Sequence, residues 1–276
     1  MLSADFSGRF RLFPHYGEWM RITSFSNRMI REVRELLQKP RARQKAGLFV
    51  SEGERLCREI PKDLVERVFL SDSYRGSLPA GFRPKDHTLI RVPDELMAHI
   101  SDTKHSQGIL VLVRMLPERV LSGDFFLLLE SLQDPGNLGT IFRLAEAAGV
   151  NGIYMSSDCA DIYSPKLVRS TMGSLYRLPF RIVPDLKETI AELKKKGVRC
   201  FASHLLGEKA HYDCDFRSPT AFLIGNEGRG LSPELSEAAD IRLRIPMKGG
   251  VESLNAAAAA AILSYETLRQ REKQEN

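Results

Sequence analysis

Five polar residues in three loops carry the chemistry open to this chain: Asn137, Arg143, Glu227, Ser253 and Asn255. Arg143 offers a planar fork of donors, the kind of group that grips a phosphate at two points. Glu227 stands in Gly225-Asn226-Glu227-Gly228-Arg229-Gly230, where glycines let backbone approach a ligand closely. A carboxylate on such a loop more often handles a ligand than decorates a surface. Asn137, Ser253 and Asn255 are short and polar, suited to orienting a neighbour or to capping a helix, and their types alone leave both roles open. The set suits holding a phosphate and aiming a hydroxyl beside it.

The elements that must position these residues alternate strand with helix. Apolar runs predict strands at Phe125–Glu130, Gly152–Met155, Leu178–Val183, Val198–Ala202, Ala221–Ile224 and Ile241–Ile245. Helical periodicity predicts helices at Leu138–Ala148, Pro165–Met172, Leu186–Lys196, Pro233–Ala239 and Leu254–Leu268. Ser232-Pro233 starts one of them, with Ser as cap and Pro at the first position. Asn137 is expected to cap the helix whose apolar positions are Leu138, Ile141, Phe142, Ala145 and Ala148, and Asp134-Pro135-Gly136 reads as a turn. Strands spaced by helices of this length imply an α/β fold with a mostly parallel sheet covered on both faces, its ligands beyond the carboxyl ends of the strands. A dinucleotide-binding fold competes with this reading, but its Gly-x-Gly-x-x-Gly loop does not follow the first strand here.

The first half is different. Ser26-Asn27 can cap a helix with apolar positions Ile30, Val33, Leu36 and Leu37; strands follow at Gly47–Val50, Val65–Leu70, Thr88–Arg91 and Gly108–Arg114. The pattern predicts a small α/β module at residues 21–115, a linker at 116–123 and a second domain at 124–276, with residues 1–20 as a tail outside the fold. Met1–Met115 holds 20 Lys and Arg against 14 Asp and Glu, whereas the remainder holds 20 against 21, so the net charge of +5 belongs to the first half. Its densest part contains Arg28, Arg31, Lys39, Arg41, Arg43 and Lys45, a cluster suited to nucleic-acid phosphates or to a solvated helix face.

The longest apolar runs, Phe125–Leu129 and Ala256–Leu263, fall short of a membrane span, and no export signal opens the chain, so a cytoplasmic protein is expected. Four scattered cysteines match no disulfide framework. Cys200, His204, His211 and Cys214 crowd together without a Cys-x-x-Cys pair, and no metal is expected.

Taken in order, Leu132–Arg143, Ile224–Ser232 and Ile245–Asn255 (with Glu252-Ser253-Leu254-Asn255 at its end) resemble the three signature motifs of the SpoU (TrmH-like) family of RNA ribose 2′-O-methyltransferases, in the SPOUT superfamily. Glu52-Gly53-Glu54-Arg55-Leu56, after a basic loop and a strand, resembles the RNA-binding module that precedes the catalytic domain in many members. The resemblance covers about residues 21–268. It implies a SPOUT-type C-terminal domain with a deep trefoil knot behind a ribosomal-protein-like RNA-binding domain. It also implies S-adenosyl-L-methionine (AdoMet) as cofactor, structured RNA as substrate (23S rRNA ahead of tRNA) and a homodimer. Asn137, Arg143, Glu227, Ser253 and Asn255 then become the catalytic set. Gly225, Ile245 and Leu254 fall where the family holds adenosine, with Ser203, Asn226 and Met247 as further contacts. An arginine side chain keeps its proton at neutral pH, which favours Arg143 as phosphate clamp over general base. The rival expectation is an RNA-binding protein that keeps the fold without catalysis.

Overall fold

The computed structural model describes residues 20–78, 88–250 and 253–275. Two sheets organise them. The first has five strands: β1 (Met20–Arg21), β2 (Leu48–Glu52), β3 (Val65–Ser71), β4 (Thr88–Val92) and β5 (Ile109–Arg114), in the order β1-β4-β3-β5-β2. β5 runs antiparallel to both β2 and β3, whereas β3 and β1 run parallel to β4. Met20 pairs with Ile90, so the sheet begins one residue inside the expected tail. Alternation along β3 and β5 sends Phe69, Leu110 and Leu112 to a core under α1 (Arg28–Gln38) and α4 (Asp94–His99). Val68, Leu70, Val111 and Val113 go to the other face. Both faces are buried, which is why Val68–Leu70 and Ile109–Val113 read as unbroken apolar runs. α2 (Pro40–Ala46) and α3 (Glu54–Arg58) flank β2.

The second sheet has seven parallel strands: β6 (Phe125–Leu129), β7 (Gly152–Ser156), β8 (Phe180–Val183), β9 (Arg199–Ser203), β10 (Lys209–Ala210), β11 (Thr220–Ile224) and β12 (Ile241–Arg244). Their order is β10-β12-β9-β11-β6-β7-β8. One face packs on α5 (Pro135–Ala147), α6 (Pro165–Ser170), α7 (Ser174–Arg177) and α10 (Ala256–Glu275) through Leu127, Phe201, Phe222 and Ile224. The other packs on α8 (Leu186–Lys195) and α9 (Pro233–Ala238) through Phe126, Leu128, Cys200 and Leu223. α10 follows β12, near one edge of the sheet, yet lies against α5 and β11. Among the described residues no helix is long and apolar enough to cross a membrane, and no group of three or more His, Cys, Asp and Glu is placed to hold a metal ion.

The two halves share one apolar core. Phe49 of β2 meets Tyr163 at 4.9 Å and Tyr176 at 6.4 Å between ring centroids, and all three belong with Val111, Phe125 and Phe142. Burial pushes the Tyr163 hydroxyl up to about 12. Each large apolar side chain buried in such a junction contributes about 1.5–3 kcal/mol, whereas exposed ion pairs contribute roughly 0–1 kcal/mol. Arg177, bonded to Glu59 in one half and Glu146 in the other, is 44% exposed, so the core rather than this pair holds the halves together.

Candidate active site

The three motif loops meet beyond the carboxyl ends of β6, β11 and β12, where a parallel sheet leaves room for ligands. The loop after β11 closes on itself: Asn226 and Gly230 exchange backbone hydrogen bonds of 3.0 and 2.9 Å. The Asn226 carboxamide accepts from the amides of Gly228 (2.9 Å) and Arg229 (3.1 Å) and donates to the Ser131 carbonyl (2.7 Å). That side chain is thus committed to shaping the loop. Gly225 is required there by close approach: a Cβ would stand 2.2 Å from the Gly230 carbonyl carbon and 2.3 Å from the Leu231 nitrogen.

Glu227 lies at the head of a directional chain. The Asn255 Oδ1 accepts from the amides of Ala257 (2.8 Å) and Ala258 (3.2 Å), capping α10. That fixes its Nδ2, which donates to the Asn137 Oδ1 at 2.7 Å. The Asn137 Nδ2 in turn donates to the Glu227 Oε1 at 3.0 Å. Asn137 is not the cap of α5. Asp134 is, accepting from the Asn137 amide at 2.8 Å, with Pro135 at the first helical position. The preference of proline for that position moves the helix start three residues earlier than expected, and the Asn137 side chain is freed to join Glu227 to Asn255.

A cavity of about 330 Å³ opens beside this chain. Ser203, Gly225, Asn226, Ile245, Met247 and Leu254 all line it, together with Glu227 and Ser253. Ile224, Leu231 and Ala259 add apolar wall, and His204 and Arg229 add polar groups that were not among the expected site residues. The signal for His204 was its position, just past the end of β9. Leu205 and Leu206 form an exposed rim, 57% and 84% accessible. The size suits a small cofactor. A wall of glycine backbone and aliphatic side chains with a few polar groups fits a nucleoside; it does not resemble a cage of charged ligands. Glu252 lies outside the described residues.

Arg143 does not join the cluster. It is on α5 with Leu138, Ile141, Phe142, Ala145 and Ala148 buried behind it, exposed and without a side-chain partner among the described residues. Six residues of helix separate it from Asn137, roughly 9 Å along the axis.

Of the six basic residues expected to meet nucleic acid, Arg28, Arg31, Lys39, Arg41 and Lys45 are exposed, Lys39 pairing with Glu35. Arg43 is a correction. It is 3% exposed, and its guanidinium donates to the Leu36 carbonyl and to Asp161, leaving nothing for a phosphate. On the helix α2 it faces inward, seven residues beyond Leu36, where the apolar stripe of α1 would continue.

Residues 124–265 match the model of the SpoU rRNA Methylase family, and residues 27–111 match that of the MRM3-like substrate binding domain. The chain is 32% identical over 248 residues to the 23S rRNA (guanosine(2553)-2′-O)-methyltransferase RlmP of Bacillus subtilis, covering 88% of this chain and 97% of that one. It is 33% identical over 267 residues to the 23S rRNA (uridine(2479)-2′-O)-methyltransferase of Streptomyces viridochromogenes, covering 91% and 92%. Among solved structures, the SpoU methyltransferase AviRb of Streptomyces viridochromogenes in complex with AdoMet superposes with a TM-score of 0.78 at 30% identity, covering 89% of this chain and 98% of that one.

Proposed function

This chain belongs to the SpoU rRNA methylase family, and from that premise we propose that it transfers the methyl group of AdoMet to the 2′-hydroxyl of a ribose in 23S ribosomal RNA. The observation that carries the reading is the chain Asn255–Asn137–Glu227, which ends at a cavity lined by all six expected cofactor residues. Bound AdoMet would supply an electrophilic methyl on a sulfonium centre.

The protein's own groups do the rest. Gly225 backbone with Ile245 and Leu254 would hold the adenosine, and Ser203 and Met247 would close the cavity around it. Glu227, its Oε1 fixed by Asn137, accepts a hydrogen bond from the ribose hydroxyl and so aims the oxygen lone pair. Ser253, exposed at the cavity edge, offers a second hydroxyl contact. Arg143 grips the phosphate next to that ribose. Removing one such fixed donor typically costs 10²–10³-fold in rate. Asn137→Ala is therefore expected to lower kcat by about 10²-fold, because both Glu227 and Asn255 lose their partner. Its melting temperature will fall only a few degrees, since a net hydrogen bond is worth about 1 kcal/mol. Single-turnover kinetics beside a thermal melt checks both halves of that expectation.

The reading includes a docking domain at 21–115 (with Met20 added), a linker at 116–123 and a methyltransferase domain at 124–276. Arg28, Arg31, Lys39, Arg41 and Lys45 are the docking cations. It also includes a deep trefoil knot, supported by α10 returning across the sheet to α5, and a homodimer through those helices, supported by the exposed Tyr265 on α10. With an rRNA substrate, the reading also takes the enzyme to be cytoplasmic. The test is transfer of tritiated methyl from AdoMet to 23S rRNA lacking the modification. Label recovered in a nuclease-resistant dinucleotide is the expected result; label in a base, or in tRNA alone, would overturn it.

A further inference from the structure

Residues 157–163, between β7 and α6, are attached to both halves of the molecule. One end is bound to the methyl-transfer loop. The Ser131 amide donates to the Ser156 Oγ at 2.8 Å, and the Gln133 Nε2 donates to the Asp158 carbonyl at 2.6 Å. The Ala160 amide donates to the Leu132 carbonyl at 2.7 Å, and the Ser131 hydroxyl bonds the Asp158 carboxylate. Ser131 holds a positive φ of 54°, a conformation that persists only where neighbours enforce it. From there the chain runs directly through Gln133 and Asp134 to Asn137.

The other end grips the N-terminal half. The Asp161 Oδ2 accepts from the Arg43 Nε at 2.9 Å and Nη2 at 2.5 Å, and the remaining Arg43 nitrogen donates to the carbonyls of Leu36 (2.5 Å) and Leu37 (3.3 Å) at the end of α1. The Asp161 Oδ1 accepts from the Tyr163 amide at 3.0 Å, and the Tyr163 hydroxyl accepts from the Leu116 amide at 3.1 Å, where the linker begins. Ile162, 1% exposed, anchors the middle. One guanidinium thus fastens the corner between α1 and α2, the two helices that carry Arg28, Arg31, Arg41 and Lys45, with Lys39 at the corner itself.

We propose that Arg43 and Asp161 are positioning residues that fix the distance from the docked RNA to the methyl-transfer loop, so that residues 157–163 act as a spacer choosing which ribose reaches Glu227. This deepens the function proposed above and rests on it. The arginines of the other pairs across the same junction are more open to solvent: Arg177 is 44% exposed and Arg169, 2.6 Å from Asp102, is 30% exposed. Arg43 is 3% exposed against an Asp161 that is 28% exposed, and all three of its guanidinium nitrogens are engaged.

The experiment compares wild type with Asp161→Asn, Arg43→Lys and Arg43→Met on 23S rRNA. Expected for Asp161→Asn and Arg43→Met are a fall of tenfold or more in kcat and methyl groups appearing on neighbouring nucleotides. The dissociation constants for RNA and for AdoMet should stay within twofold of wild type, and Arg43→Lys should recover part of the rate. Asp161→Asn with unchanged kcat at an unchanged nucleotide overturns the proposal, as does a loss of AdoMet affinity in step with kcat. Should the variants not fold, spin labels on ketone-bearing residues placed at Lys45 and Lys187 in otherwise native protein decide. One narrow distance supports a fixed spacer and a broad distribution overturns it. Wild type that moves no methyl to RNA would instead bring down the functional reading, an outcome distinct from active wild type with equally active variants.

Discussion

Arg143→Ala will cut methyl transfer by about 10²–10³-fold while AdoMet affinity and thermal stability stay nearly at wild-type values. The argument begins with what the side chain does not do. It makes no hydrogen bond or ion pair among the described residues, lines no part of the cavity and covers none of the buried face of α5. Surface substitutions of that kind change stability by about 0.5 kcal/mol or less, so a lost rate cannot be blamed on lost fold. On the function proposed above, the partner left for this guanidinium is the phosphate that the RNA brings with it. Arg143→Lys keeps the charge without the two-point grip and should recover only part of the rate. Single-turnover transfer on 23S rRNA, with calorimetry of AdoMet binding, is the check. An alanine variant of ordinary rate would remove Arg143 from the mechanism.

The second large effect is expected at Gly225. Adding one methyl group there puts it 2.2–2.5 Å from three backbone atoms of Gly230 and Leu231, and backbone cannot swing aside as a side chain can. The loop must open, and the two hydrogen bonds between Asn226 and Gly230 that close it are the first to suffer. Glu227 is two residues away, and displacements of about 1 Å in such a site cost on the order of 10²-fold. Gly225→Ala should therefore weaken AdoMet binding at least about tenfold and lower the transfer rate about 10²-fold. By contrast Gly228, whose added Cβ would come no closer than 3.6 Å to the Asn226 Oδ1, should tolerate alanine far better. Titration calorimetry on the two variants tests the contrast; equal affinities would show that the close approach does not shape the cavity.

Much of this was legible before any coordinates. Helix starts at Asn27 and Ser232, and the buried stripe of α5, followed from spacing and cap chemistry. The six residues that line the cavity were named through the resemblance of the three motifs to the SpoU family, and not from residue type or spacing alone. Other features were hidden for physical reasons. Arg43 sits in a run of alternating cations that resembles a solvated face, and only continuing the spacing of Ile30, Val33 and Leu36 across Pro40 would have turned it inward. Asp134-Pro135 was read as a turn although the same pair is an N-cap followed by the residue most at home in the first helical position. Strand order was beyond reach: nothing local to β11 says that it inserts between β9 and β6. The short strands β1 and β10 carry too few residues for a period to show.

That insertion sets a timetable for the newborn chain. β6 is made early, but its neighbour β11 lies about 95 positions downstream, and α10, which covers α5, is the last element of all. At roughly 5–20 residues per second, synthesis leaves one edge of the Phe125–Leu129 strand without its partner for about 5–20 s. The smaller sheet has all its strands by Arg114 and so precedes the larger one. Asn255 is synthesised after every other member of its hydrogen-bonded chain, so the Glu227 relay cannot close until the chain has reached that residue. A nascent chain of this protein carries its smaller sheet long before it can close that relay.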